Sequence, residues 1–134
     1  MKHVVFDSYA LIALFRKEDG FEFVRDVLIK LSEGELTGSI SVINVGEIYY
    51  MVSRKSNVKK AELAISALLQ FPIEIIDAGF DLTLEAAKLK SRYKLSYADA
   101  FAGAISISQK ATLITGDQEF NNLKAEKGFQ VHFI

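Results

Sequence analysis

Residues 4–14 read VVFDSYALIAL. Residues 2–6 are rich in β-branched and aromatic side chains and end at Asp7, which predicts a short buried strand; SYALIALF, directly after Asp7, predicts a helix. A strand that passes straight into a helix opens a βα unit, and the rest of the chain continues that alternation. After Gly20, the residues Phe21, Val24, Val27, Leu28 and Leu31 recur at helical spacing while Glu22, Arg25, Asp26 and Lys30 take the other side. LTGSISV predicts a second strand, and Ser41 can cap a helix running through VINVGEIYYMVSRK. NVKKAELAISALLQF has the pattern of another amphipathic helix, and the only proline, Pro72, opens the strand PIEIID. FDLTLEAAKLKSRY predicts a helix, and so does YADAFAGAISISQK, which holds one charge before its final lysine and should therefore be buried nearly all round. ATLIT, DQEFNNLK and FQVHFI close the chain as strand, short helix and strand. Strands alternating with helices predict a parallel α/β sheet covered on both faces.

Composition bounds the rest. At 134 residues, half of them hydrophobic, the chain is expected to form a single domain over 1–134. It has no cysteine, which excludes disulfides, thiolate zinc sites and cysteine nucleophiles. The N-terminus reaches an acid after four strand-like residues, unlike a secretory signal, and no run is long and apolar enough to span a membrane. A cytoplasmic protein is expected. The net charge of −1 does not by itself point to nucleic acid, although a set of carboxylates would mask a basic surface.

Four acids stand alone in apolar or small-residue surroundings: Asp7, Glu47 in VINVGEIYYMV, Asp99 in SYADAFAGAIS and Asp117 in TLITGDQEF. Burying a carboxylate is costly unless a partner offsets the loss of water, and no lysine or arginine sits beside these four. A divalent cation is the simplest shared partner, and hard carboxylate oxygens suit magnesium or manganese rather than zinc. That chemistry points to phosphodiester hydrolysis. Open parallel sheets gather ligands beyond the carboxyl ends of their strands, where Asp7 and Asp117 fall, and Glu47 and Asp99 are placed to reach the same edge.

Each acid also has a plainer reading. Asp7 and Asp117 fit helix N-caps, and Ser96-Tyr97-Ala98-Asp99 fits a capping box. Glu47 lies too far inside its helix for capping; its plainer reading is a surface glutamate, against which its flanking face, polar only at Asn44, argues. Ser8, Asn44, Thr115 and Ser96 are candidates to orient carboxylates, or caps and turn residues. Glu119 is read as support for the N-terminus of its own short helix. His3 and His132 lack metal-ligand spacing and read as structural. Arg16, Lys17, Arg54, Lys55, Lys59 and Lys60 either contact phosphates or are solvated helix ends; the second reading is favoured for most of them.

The ordered set Asp7-Ser8, Glu47, Asp99-Ala100 and Thr115-Gly116-Asp117 resembles the PIN-domain ribonucleases, and within them the VapC toxins of prokaryotic toxin–antitoxin pairs. The resemblance covers the whole chain. It implies a three-layer α/β/α domain with a central, mostly parallel sheet, Mg2+- or Mn2+-dependent endonuclease activity on RNA, and a homodimer. Asp7, Glu47, Asp99 and Asp117 would be the catalytic and metal-holding residues, with Ser8, Asn44 and Thr115 supporting them. Some relatives carry a further aspartate near the last motif where this chain has Glu119. The toxin reading implies a cognate antitoxin protein that lays an amphipathic segment in a groove and inserts a basic residue at the acids. The alternative is a catalytically inactive PIN-like module that binds RNA or protein. Receiver and haloacid-type phosphatase readings fail locally, because Ser8 and Tyr9 follow Asp7 where a second acid is needed.

Overall fold

Asp7 ends the first strand and starts the first helix. Strand β1, His3–Phe6, passes directly into helix α1, Ser8–Arg16, because Asp7 Oδ1 accepts the Ala10 N–H at 2.9 Å and satisfies a donor the first helical turn cannot pair internally. The same device recurs along the chain in the computed structural model, which describes residues 1–134. After helix α2, Phe21–Ser32, strand β2, Thr37–Ser41, ends at Ser41, whose Oγ accepts the Ile43 N–H at 3.1 Å and begins helix α3, Val42–Lys55. Asn57 caps helix α4, Val58–Gln70, through the Lys60 N–H at 2.8 Å. Strand β3, Ile73–Ile76, follows Pro72 and leads to helix α5, Phe80–Arg92. Helix α6, Tyr97–Ser108, strand β4, Thr112–Thr115, and strand β5, Gln130–Phe133, complete the chain. The short helix expected in DQEFNNLK forms as a 3-10 helix over Gln118–Leu123, with Asp117 at its start.

The sheet has five strands in the order β3-β2-β1-β4-β5. Every neighbouring pair is parallel, so the sheet is parallel throughout. The chain builds outward from β1 through β2 to β3, then crosses back to β4 and on to β5. The order reverses between β1 and β4, the place where an open parallel sheet leaves a crevice at its carboxyl edge.

Alternation along β1 divides the core. Val4 and Phe6 face a layer built from α1 to α4, where they pack in one cluster with Leu11, Val24, Ile40, Ile48 and Leu68. Val5 faces the opposite way, with Leu113, into a second cluster containing Leu89, Ala100, Ile105 and Phe120 from α5, α6 and the 3-10 turn. The result is the three-layer α/β/α arrangement. Helix α6 is buried at every residue from Asp99 to Ser106, as its near-absence of charge foretold. Its Gly103 is needed for packing: a Cβ there would lie 2.7 Å from Leu123 Cδ2. No helix is long and apolar enough to cross a membrane.

Candidate active site

Phe6 and Ile114 are paired across β1 and β4, so the next residues, Asp7 and Thr115, stand side by side at the carboxyl edge where strand order reverses. Thr115 is fully buried, and its Oγ1 accepts the Asp117 N–H at 2.9 Å. Its single proton is thereby directed elsewhere, and it goes to Asp7 Oδ2. One hydroxyl thus ties the loop after β4 to the carboxylate after β1. Asp7 is 1% exposed, and burial pushes its carboxyl from 3.8 up to about 7. The Thr115 and Ala10 hydrogen bonds oppose that rise, while the charges of Asp117 and Glu47 add to it.

Glu47 reaches the same edge from the second turn of α3. Its Oε1 accepts the Ser8 hydroxyl at 2.9 Å and the Asn44 Nδ2–H at 2.8 Å. The i, i+3 spacing sets Asn44 beneath Glu47, and Asn44 is fully buried. Its own Oδ1 finds no donor, which leaves a buried acceptor oxygen unpaired beside the carboxylates.

Asp99 sits in the first turn of α6, where only half of the expected capping box forms. Ser96 Oγ accepts the Asp99 N–H at 3.1 Å. The return bond to the Ser96 N–H, however, comes from Glu119 Oε1 at 2.9 Å and not from Asp99. Glu119 therefore supports the start of α6, a different helix from the one expected. With that duty taken over, the Asp99 carboxylate turns inward and is 7% exposed. Burial first, then the charge of Asp117 and Asp7, a contact with the Asp117 carboxylate and the charge of Glu47 push Asp99 from 3.8 up to about 8. Asp117 closes the group. Its Oδ1 accepts the Glu119 N–H at 2.9 Å, so its capping role is also real. Capping occupies one oxygen of Asp7 and one of Asp117; it does not neutralise either charge.

The four expected acids thus come together, as do Ser8, Asn44 and Thr115. No basic side chain joins them, because the ion pairs of the protein are Arg16–Glu18, Arg25–Asp26, Lys88–Glu85 and Arg92–Glu126. No three of the acids close on one point as a finished ligand set. The chemistry of the donors nevertheless fits a hard divalent cation: carboxylates gathered at the carboxyl edge of the sheet, two of them buried and strongly reluctant to ionise, beside an unpaired amide oxygen. His132 stacks on Phe23 and His3 meets Thr37, both away from the acids. Arg54 lies over the Tyr50 ring, and Arg16 reaches Glu18 and Ser56.

Tyr9 was not singled out from sequence. Its ring lies so close to Gly116 that a Cβ there would stand 2.1 Å from Tyr9 Cε1, which explains why glycine separates Thr115 from Asp117. The signal available was that glycine. The Glu119 cap carries a prediction of its own. Glu119→Ala leaves the Ser96 N–H without its acceptor and is expected to cost about 1 kcal/mol, lowering the melting temperature by roughly 4 °C. An unchanged melting temperature would show that water replaces the bond without loss.

The PIN domain family model matches residues 4–126. Among solved structures, VapBC2 from Rickettsia felis, bound to a DNA fragment from its promoter, is 19% identical with a TM-score of 0.74 and covers 98% of each chain. A toxin–antitoxin complex from Klebsiella pneumoniae is 22% identical with a TM-score of 0.67, covering 98% of this chain and 99% of that one. VapC20 from Mycobacterium tuberculosis, described as a toxin cleaving the sarcin-ricin loop, is 17% identical with a TM-score of 0.75, covering 90% and 95%. No curated protein sequence matches.

Proposed function

The chain belongs to the PIN domain family, and from that premise we propose that it is a metal-dependent endoribonuclease acting as the toxin of a toxin–antitoxin pair. The observation that carries this reading is the gathering of Asp7, Glu47, Asp99 and Asp117 from four separate segments at one edge of the sheet with no basic partner. A protein gains no stability from such an arrangement, since burying like charges costs free energy. Retaining it is understandable if the acids serve chemistry.

In this reading Asp7, Glu47, Asp99 and Asp117 hold magnesium or manganese. Once bound, the cation supplies Lewis-acid stabilisation of the charge that grows on phosphoryl oxygens and acidifies water at the site. The remaining work belongs to the side chains. Thr115 and the Ala10 N–H fix both oxygens of Asp7. Ser8 and Asn44 fix Glu47 Oε1 and leave Oε2 available. Glu119 relieves Asp99 of capping. Each acid is thus positioned before substrate arrives, which lowers the reorganisation required during reaction.

The test is incubation of the purified protein with a panel of labelled RNAs in magnesium or manganese, then with EDTA. Cleavage that depends on the added cation is the expected result. Failure to cut any RNA together with no calorimetric cation binding would favour the inactive, RNA- or protein-binding module instead.

The antitoxin partner is part of the proposal. Its support is an apolar groove beside α1, α3 and α4, a cavity of about 560 Å³ lined by Phe15, Val52 and Leu63 with Arg16 and Lys60 at its rim. We also assign the chain a homodimer. Phe80 is 78% exposed and Leu84, one turn on in α5, is exposed as well. Phe80→Glu is expected to convert the dimer to monomer in sedimentation, and an unchanged dimer would move the interface elsewhere.

A further inference from the structure

One helical turn from the acids lies a second cavity, of about 340 Å³, lined by Tyr9, Ile12, Glu18, Asp19, Met51 and Lys55. Its position relative to the crevice follows from the helices. Tyr9 succeeds Ser8, which bonds Glu47, and Met51 stands four residues beyond Glu47 on the same face of α3. The near wall of the cavity, at Met51, is therefore about 6 Å beyond Glu47 along the helix, and the far wall on α3, at Lys55, about 12 Å. Tyr9 joins the two spaces, since its ring rests on Gly116, between Thr115 and Asp117, and remains 47% exposed.

The walls differ in kind. Tyr9 offers an aromatic face, while Ile12 and Met51 supply apolar surface. Glu18 and Asp19 come from the turn between α1 and α2, and that turn is held firmly. The Glu18 N–H returns to Ala13 O at 2.9 Å, and Phe21 N–H bonds Glu18 O at 3.1 Å. Gly20, with φ +91°, packs so tightly on Ile134 that a Cβ would lie 2.7 Å from Ile134 Cβ. Glu18 is paired with Arg16 at 3.3 Å, whereas the Asp19 carboxylate has neither an ion-pair nor a hydrogen-bond partner in the protein.

A cavity of this size suits one ring system rather than a length of chain. Lys55 sets one cationic group beside the two carboxylates of the lining, and those carboxylates accept hydrogen bonds from amino groups, as acids do from the amino group of cytosine. An aromatic face beside such an acceptor matches a nucleobase, because every base has a π-face to stack. We propose that this cavity seats the nucleobase next to the cleaved phosphodiester, stacked on Tyr9, with Asp19 selecting bases that carry an exocyclic amino group over uracil. The proposal rests on the ribonuclease reading and adds to it a determinant of which RNA is cut.

The test uses a short single-stranded RNA remade with A, C, G or U at each position flanking the cut, assayed for cleavage by the wild-type protein. In parallel, fluorescent copies are titrated against the Glu47→Gln protein by anisotropy, alone and with each substitution below. Uracil at one flanking position is expected to lower kcat/KM about tenfold, and Asp19→Asn, whose amide can also donate to a uracil oxygen, to reduce that difference to about twofold. Tyr9→Ala is expected to raise KM and weaken binding about tenfold, and Tyr9→Phe to restore both. If wild-type protein cuts while Tyr9→Ala and Asp19→Asn keep its KM and base preference, the cavity is not a base site and the ribonuclease reading stands. If no RNA is cut but the oligonucleotides bind, the titration decides in the same way. Neither cutting nor binding would overturn both readings.

Discussion

Glu47→Gln is expected to reduce RNA cleavage by about a thousandfold or more while leaving the folded protein intact. The expectation follows from what glutamine keeps and what it loses. Glu47 Oε1 accepts from Ser8 at 2.9 Å and from Asn44 at 2.8 Å, and a glutamine carbonyl oxygen can accept both bonds in the same place. Side-chain volume is conserved, so Ile48 and Val52 keep their packing on the sheet. The negative charge disappears, and the free Oε2 becomes an amide NH2. A melting temperature within about 2 °C of wild type, with cleavage lost, would isolate the carboxylate as the requirement. The same variant guards against a contaminating nuclease, whose activity would persist. Ser8→Ala should be milder, because it removes an orienting bond and not the carboxylate; a loss of roughly tenfold to a hundredfold is expected. Cleavage retained by Glu47→Gln would remove Glu47 from the chemistry and with it the basis for a four-acid site.

The helix starts were readable because capping is local. Asp7, Ser41, Asn57 and Ser96 each bond an N–H two or three residues ahead, and such short-range chemistry is written in consecutive residues. The acids were readable for a related reason: a lone charge in an apolar segment conflicts with its surroundings unless it has a use. What could not be read depends on contacts between distant segments. Glu119 accepts from the N–H of Ser96, 23 residues earlier, and nothing near it in sequence announces that partner. Tyr9 meets Gly116 only because β1 and β4 are neighbours, and strand order is set by crossovers that alternation leaves open. DQEFNNL offers the same spacing of Phe120 and Leu123 to a 3-10 turn as to an α-helix, so periodicity could not separate them.

Stability of the metal-free protein is expected to fall as pH rises, and Asp99→Asn to remove much of that fall. Asp99 is pushed up to about 8 and Asp7 to about 7, both from 3.8. A carboxyl whose value rises on folding binds its proton more tightly in the folded state, so its contribution is complete below about 3.8 and is lost as pH climbs through 7 to 8. The melting temperature should therefore be lower at pH 8.5 than at pH 5.5. Asparagine cannot ionise, and its backbone N–H still bonds Ser96 Oγ, while Glu119 still bonds the Ser96 N–H. Asp99→Asn should accordingly melt about 5 °C above wild type at pH 8.5, and by a smaller margin at pH 5.5. Some slope should remain, because Asp7 still ionises beside Asp117 and Glu47. Magnesium supplies the complementary check: a cation that binds only the folded, ionised site stabilises it by mass action. It should raise the wild-type melting temperature at pH 8.5 and raise that of Asp99→Asn much less. A wild-type melting temperature that is flat between these pH values would mean that the acids ionise without strain, and the case for a cation as their common partner would lose its electrostatic foundation.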